Sequence, residues 1–327
     1  MGSDDLNRRS GAKGGGVLIR PMQAGDLEAA DTVMRTAFGT HLGVPDPRQT
    51  FGDAQYVRPR FAAHPDGAFT AEQDGEVVGS VFVTQWGRFG FFGPLTVRED
   101  LWDGGIAQRL MVPVIDLFDT WRVRLAGLHT FANSPKHLAL YQRFGFWPQY
   151  LTAIMSKPVV AGTPATTTMT RYSMLSEHER AGVLADCATL TDAIFEGLDV
   201  EVEITSVFAQ RLGDTLLVID GDRIDGFAVC HCGAGEAGSG TCFVKFAAVR
   251  PRSHVADVFD RLLDAVEHLA AERGVGHVVL GVNTARRVAY QHLLARGYRT
   301  SGLGVRMHRP DDLGYCRPAD HVIDDLR

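Results

Sequence analysis

The chain has 327 residues, 45% hydrophobic and 22% charged, with a formal net charge of -6. That length favours two domains, and the composition is that of an ordinary globular protein. The mild acidity argues against nucleic acid as a partner, which wants a basic face. No apolar run of roughly 18 residues occurs, so no membrane-spanning helix and no membrane partner are expected. The cysteines at 187, 230, 232, 242 and 316 are scattered and odd in number. That suits reduced thiols, and a cytoplasmic location is expected.

Residues 1–16, polar and Gly-rich, are predicted as a disordered tail. Arg8-Arg9 is not followed by an apolar stretch, and Leu6 breaks the myristoylation pattern, so neither export nor lipidation is expected. "GVLIRPM" (16–22) reads as a short strand, and the three- and four-residue apolar spacing of 25–42 as a helix. Residues 43–61 are irregular at first, then helical. Two β-rich runs flank Asp74-Gly75, a strong hairpin signal, and "RFGFFGPLTV" (88–97) continues as a third strand. A turn and a helix over roughly 105–120 follow. Next come a strand at 126–133, a helix ending near Gly145, and a strand at 150–159.

Residues 159–170 are predicted as a linker, since "AGTPATTTMT" has no periodicity. The order of elements then repeats. "RYSML" (171–175) is predicted as a strand, and Ser176 with Glu179 as a capping box before a long helix. Two strands surround Gly221-Asp222, a third spans 240–249, and a helix spans 254–273. A strand, a helix and a last strand run to 309. Both halves read β-α-β-β-β-α-β-α-β at a spacing of about 150 residues, which predicts duplication of one α+β unit. The expected units are 17–158 and 171–315, with 316–327 as a C-terminal tail.

The stretch "LWDGGIAQRLM" (101–111) is the most informative. A helix start offers unpaired N–H groups and a positive dipole end, and small residues let a phosphate approach the backbone. From composition alone it is equally a plain connector between a strand and a helix. Its context decides. "LTVREDLWDGGIAQRLM" resembles the acyl-CoA signature of the GNAT N-acetyltransferase superfamily, with Gly105 and Ala107 matching and Trp102 standing where Gln or Arg is usual. "NSPKHLALYQRFGF" is similar to the second signature of that family, with Asn133, Tyr141 and Gly145. The resemblance covers residues 17–158 and implies an α+β fold of two tandem GNAT-like domains, each a mixed, mostly antiparallel sheet flanked by helices.

The resemblance further implies an acyltransferase that moves an acetyl group from acetyl-CoA, its acyl-donor substrate, to a primary amine of a small molecule or protein by direct attack. The implied donor site is Leu95, Thr96, Val97, Trp102, Asp103, Gly104, Gly105, Ile106, Ala107, Gln108, Asn133, Ser134 and Tyr141. A backbone N–H of "GPLTV" would polarise the thioester carbonyl. Tyr141 would be the general acid for the leaving thiolate, its other reading being a packing residue. Strand 88–97 has no carboxylate for a general base. Glu72 and His129, on strands that could point into the cleft, are candidates, their other reading being surface or core-edge residues, and a water relay is the alternative.

In the second half, the same alignment sets Asp257 and Phe259 where Gly and Gly/Ala belong, while Asn283, Tyr290 and Gly297 are kept. That half is expected to be a degenerate GNAT-like domain that shapes the acceptor cleft or forms a homodimer interface. Cys230, His231 and Cys232 lie on one predicted strand, so the two thiols share a face and the imidazole points away. No metal site is expected there. "FGFFG" (89–93) reads as acceptor pocket or core. A non-catalytic acyl-CoA-binding regulatory protein is the rival reading, supported by Trp102 and the missing strand carboxylate.

Overall fold

The computed structural model describes residues 16–160, 169–251 and 254–327. The predicted N-terminal tail and most of the predicted linker lie outside the described residues. The first half runs β1 (Leu18–Pro21), α1 (Leu27–Leu42), α2 (Val57–Ala63), β2 (Ala68–Gln73), β3 (Glu76–Trp86), β4 (Phe89–Val97), α3 (Ile106–Thr120), β5 (Leu125–Thr130), α4 (Pro135–Gln142) and β6 (Trp147–Pro158). The second runs β7 (Thr170–Arg171), α5 (Glu177–Ile194), α6 (Glu201–Ala209), β8 (Gly213–Asp220), β9 (Arg223–Gly233), β10 (Gly238–Val249), α7 (Val255–Glu272), β11 (His277–Asn283), α8 (Arg287–Ala295) and β12 (Arg299–Arg309). A short β13 (Val322–Ile323) follows.

Local chemistry explains most of these elements. Asp74 and Gly75 both take positive φ, 53° and 82°, which turns β2 into β3. Ser176 and Glu179 close a capping box on α5. In α3, Ile106, Leu110, Met111, Val114 and Phe118 recur at helical spacing and are buried against β2, β3 and β4. On the opposite face of the same strands, Ala30 and Met34 of α1 pack with Ala68 and Phe82.

One continuous sheet unites the halves in the order β1-β2-β3-β4-β5-β12-β6-β11-β10-β9-β8-β7. The last strand of each half sits in the sheet of the other. β12 pairs antiparallel with β5, Val305 opposite Thr130, while β6 pairs antiparallel with β11, Thr152 opposite Asn283. β6 and β12 pair with each other at the centre.

Three expectations are corrected. "RYSML" contributes only Arg171 to a strand; Tyr172–Met174 form a 3-10 turn that buries Tyr172 in the core. Residues 316–327 are no loose tail: β13 pairs with β10, and Asp324, Asp325 and Leu326 are buried. The register assumed for the second half is also wrong. β10 ends at Val249 and α7 begins at Val255 with His254 as its cap. Matching the caps sets His254 against Gly105 and Ala256 against Ala107. Asp257 is then an exposed first-turn residue, and Phe259 is fully buried beneath the helix.

Candidate active site

β4 and β5 lie parallel at Phe89↔Leu125, Gly90↔Ala126 and Phe91↔Gly127, and then part. The parting coincides with a β4 bulge, where Gly93 and Pro94 fall between the Val83↔Phe92 and Val81↔Leu95 pairs. This opens a wedge between two neighbouring strands. Leu95 and Thr96 lie on β4 beyond its apex, with the Thr96 hydroxyl 3.3 Å from that of Ser80. Phe89, Phe91 and Phe92 are core residues, each at most 2% exposed.

The loop after Val97 makes a 3-10 turn at Glu99–Leu101. Asp103 and Gly105 then take the left-handed conformation, φ 67° and 78°, before α3 begins. Space above the Gly105 Cα is open. Gly104 donates its N–H to the Leu101 carbonyl at 3.3 Å. The N–H groups of Asp103, Gly105, Ile106, Ala107 and Gln108 find no backbone acceptor among the described residues. Such a row at a helix start is an anion-binding arrangement. The Trp102 indole N–H donates to the Val97 carbonyl at 2.8 Å, so this residue pins the loop to the strand. Lys136 stands 5.6 Å from the Trp102 ring centre and forms a 2.7 Å ion pair with Asp103, which sets a cation beside the loop.

Tyr141 is buried on α4, its ring 5.6 Å from Phe92. Burial pushes its hydroxyl up to about 12, and a hydrogen bond with Thr130 opposes this slightly. It therefore stays protonated at neutral pH. Ser134 caps α4 by accepting from the His137 N–H, while Asn133 is exposed. His129 lies on the other face of β5 from Thr130, against Gly304 of β12. Burial lowers it to about 4, with Asp325 opposing that shift and Arg327 and Arg306 adding to it. The fold does not bring Glu72 to the wedge. It is paired with Arg20 at 2.8 Å on β2, one residue from the hairpin turn, and β3 separates it from β4.

Other groups at the wedge carried no motif. Arg60 of α2 is buried, grips Glu236 through two bonds of 2.7 and 3.0 Å, and donates to the Gly93 carbonyl. Lys245 of β10 reaches the same carboxylate at 2.8 Å. Burial works against the ionised form of Glu236, but Arg60 and Lys245 hold it well below the usual carboxylate range. Partners 176 residues apart leave no local signal. His41, at the end of α1, lies 4.5 Å from Phe131 and 5.0 Å from His137, measured between ring centres.

The second half repeats the wedge and fills it. β10 and β11 are parallel up to Val244↔Leu280 and then part. Ala247 and Ala248 of β10 pair instead with Ile323 and Val322. Asp325 lies against Gly281, where a Cβ would collide at 2.1 Å. Asp324 is locked by Arg286 at 2.9 Å, by Arg306 and by the Tyr315 hydroxyl at 2.6 Å. Asn283 is spent on Tyr150, Thr152 and the Ala285 N–H. Cys230, Cys232 and Cys242 are buried under α7, and among the described residues no His, Cys, Asp and Glu cluster could hold a metal ion.

A parallel wedge that stays open, with a left-handed helix cap at its mouth, is thus confined to the first half among the described residues. Residues 34–146 match the model of the acetyltransferase (GNAT) family. Among solved structures, the chain is similar to a protein assigned as an acetyltransferase from Pyrococcus horikoshii. The TM-score is 0.67 and the identity 14%, over 98% of this chain and 97% of that one. A GCN5-related N-acetyltransferase from Sphaerobacter thermophilus follows at TM-score 0.58 and 16% identity, covering 90% and 95%. A tandem GNAT protein from the clavulanic acid biosynthesis pathway gives 0.55 and 13%, covering 90% and 98%. These likenesses show the fold of the whole chain to be the tandem GNAT fold. No curated protein matches the sequence. Among the described residues no helix is long and apolar enough to cross a membrane.

Proposed function

We propose that the first half transfers an acetyl group from acetyl-CoA to a primary amine, by direct attack and without a covalent enzyme intermediate. One observation carries the reading: a single wedge has unpaired N–H groups of residues 103 and 105–108 at its mouth and a protonated, buried Tyr141 along its wall. The N–H groups and the helix dipole would hold the donor pyrophosphate, and Lys136 would add charge to the same end. Leu95, Thr96 and Val97 would pair with the donor's arm along β4.

The residues then divide the chemistry. A β4 backbone N–H beyond the bulge polarises the thioester carbonyl as the neutral amine attacks. Tyr141 gives its proton to the departing thiolate. The amine's proton leaves through water, because Glu72 is held by Arg20 and His129, lowered to about 4, is a weak base. Whether the acceptor is a small molecule or a lysine of a protein, the expected location is the cytoplasm.

The test combines calorimetry with CoA and thiol release across a panel of amines. Stoichiometric binding with thiol release supports the reading. Binding with no release from any amine would favour the regulatory acyl-CoA-binding alternative.

A further inference from the structure

Loop 50–56 of the first half faces the β9–β10 turn of the second, and the two are stitched together. Gln55 donates its N–H to the Gly235 carbonyl at 2.8 Å, and the Ser239 N–H donates to Asp53 at 3.1 Å. Arg35 clamps the loop from within, donating to the carbonyls of Thr50 at 2.7 Å, Gly52 at 2.8 Å and Ala54 at 2.5 Å. Inside that clamp, Phe51 adopts φ 70°, a conformation that a bulky side chain takes only when its surroundings force it.

The forced geometry turns Phe51 to one wall of a cavity of about 190 Å³ between the halves. Phe51, Tyr56 and Phe243 supply three rings to its lining, with Ala54 and Val279 beside them. Phe51 and Tyr56 meet edge to face, with 5.2 Å between ring centres. Apolar cavities of about 150 Å³ already accept benzene. The charged groups and the threonine of the lining are engaged within the protein: Arg327 lies 4.8 Å from the Phe243 ring centre and pairs with Asp325 at 2.8 Å. Glu236 is held by Arg60 and Lys245, and the Thr241 hydroxyl donates to the Ala237 carbonyl. Arg60 also ties the cavity to the wedge: its guanidinium lies 5.5 Å from the Tyr56 ring centre while donating to the Gly93 carbonyl of the β4 bulge.

We infer that this cavity is the acceptor pocket of the wedge and takes the flat apolar ring of a small ring-bearing primary amine. The inference rests on the transfer reading above for what happens to the amine, but not for the pocket itself. Preformed edge-to-face walls favour a ring over a flexible chain, because aromatic pairs gain beyond area burial and a ring loses less entropy. The second half then has a part in the site, supplying Phe243, Thr241 and Val279.

The experiment is calorimetric titration of the full chain, saturated with CoA, with 2-phenylethylamine and with n-hexylamine. The wild type should bind the aromatic amine about tenfold more tightly, the scale of one well-placed ring contact. Val279→Trp and, from the half-buried rim, Thr241→Phe should each remove that preference while CoA affinity is kept, in proteins that melt cooperatively. Equal binding of the two amines, binding of neither, or unchanged 2-phenylethylamine affinity in both filled variants would overturn the pocket. Thiol release separates the two readings. Ring-selective binding without release keeps the pocket and sinks the transfer reading. Release from amines at wild-type rates in both filled variants keeps the transfer reading and sinks the pocket.

Discussion

The two halves open the same wedge and treat it differently. In the first, β4 and β5 part after Phe91 and Gly127, and no strand of the described residues pairs with β4 on that side beyond them. In the second, β10 and β11 part after Val244 and Leu280, and β13 takes up the freed edge of β10. The connectors differ in step. Residues 98–105 join β4 to α3, while 250–254 join β10 to α7, three residues fewer. A left-handed cap survives in both, Gly105 at φ 78° and His254 at φ 65°. Cap geometry is therefore a property of the fold, and the open wedge is what distinguishes the first half from the second.

The largest effect should come from the open wedge. Gly105→Asp adds a Cβ in the left-handed region and a carboxylate facing the anion seat. Two like charges about 4 Å apart repel by about 4 kcal/mol near a protein surface, about a thousandfold in affinity. Calorimetry should give one CoA per wild-type chain and none for this variant, with His254→Asp unchanged at one. Two sites per chain, or loss in both variants, would break the asymmetry of the halves.

Tyr141→Phe should lower turnover by about 10²–10⁴-fold, the usual worth of general acid catalysis, with little change in CoA affinity. Leu293 holds the place of Tyr141 at the end of α8, accepting from the Tyr298 N–H as Tyr141 accepts from the Phe146 N–H, and Tyr290→Phe, three residues earlier, should leave turnover as it was. Wild-type turnover in the Tyr141 variant would reduce this residue to packing.

The closed wedge predicts a stability effect. Asp324 is fully buried between Arg286 and Arg306. Replacing it with Asn strands two buried guanidinium groups and should cost about 3–5 kcal/mol in urea unfolding. Lys136→Ala, which removes an exposed pair with Asp103, should cost less than about 1 kcal/mol. Comparable losses for the two would mean that β13 is not the anchor of the second half.

The sequence carried what depends on short-range pattern. Periodicity located the helices and strands, Asp74-Gly75 the hairpin, Ser176 and Glu179 the cap, and the Gly-rich stretch at 104–105 the loop. It missed what depends on distance along the chain. The exchange of β6 and β12 requires knowing which strand edge each finds. Residues 316–327 looked like a tail because Pro318, Asp320, Asp324 and Asp325 leave only Val322 and Ile323 to mark the short strand. Glu72 shared the residue type of a base but not its place. The assumed register at Asp257 erred because the loop had shortened, and one loop's spacing was laid on another. Arg60 and Glu236, 176 residues apart, could be paired only in three dimensions.

The smallest effect is on pH dependence, and it separates the regions around the two wedges. His129 beside the open wedge, and His137 at the start of α4, are lowered to about 4, burial being the main cause in each. His308 of β12, which lies in the first half's sheet, is lowered to about 3 by burial, with Arg306 adding to the shift. Unfolded histidine titrates near 6.5. Between about 6.5 and 4 the unfolded chain therefore binds more protons than the folded one, so stability rises with pH through that window and falls as acid is added. Asp324 behaves oppositely in origin. Burial raises it, but Arg286 and Arg306 prevail and hold it at about 2, so its contribution is present above about 3.9 and is lost only below that. Each proton taken up on unfolding changes stability by up to about 1.4 kcal/mol per pH unit. Urea midpoints measured from pH 7 to 4 should fall steadily, and His129→Asn should flatten part of that slope while leaving the loss below pH 4 in place. A midpoint unchanged down to pH 4 would show these histidines to be protonated in the folded protein.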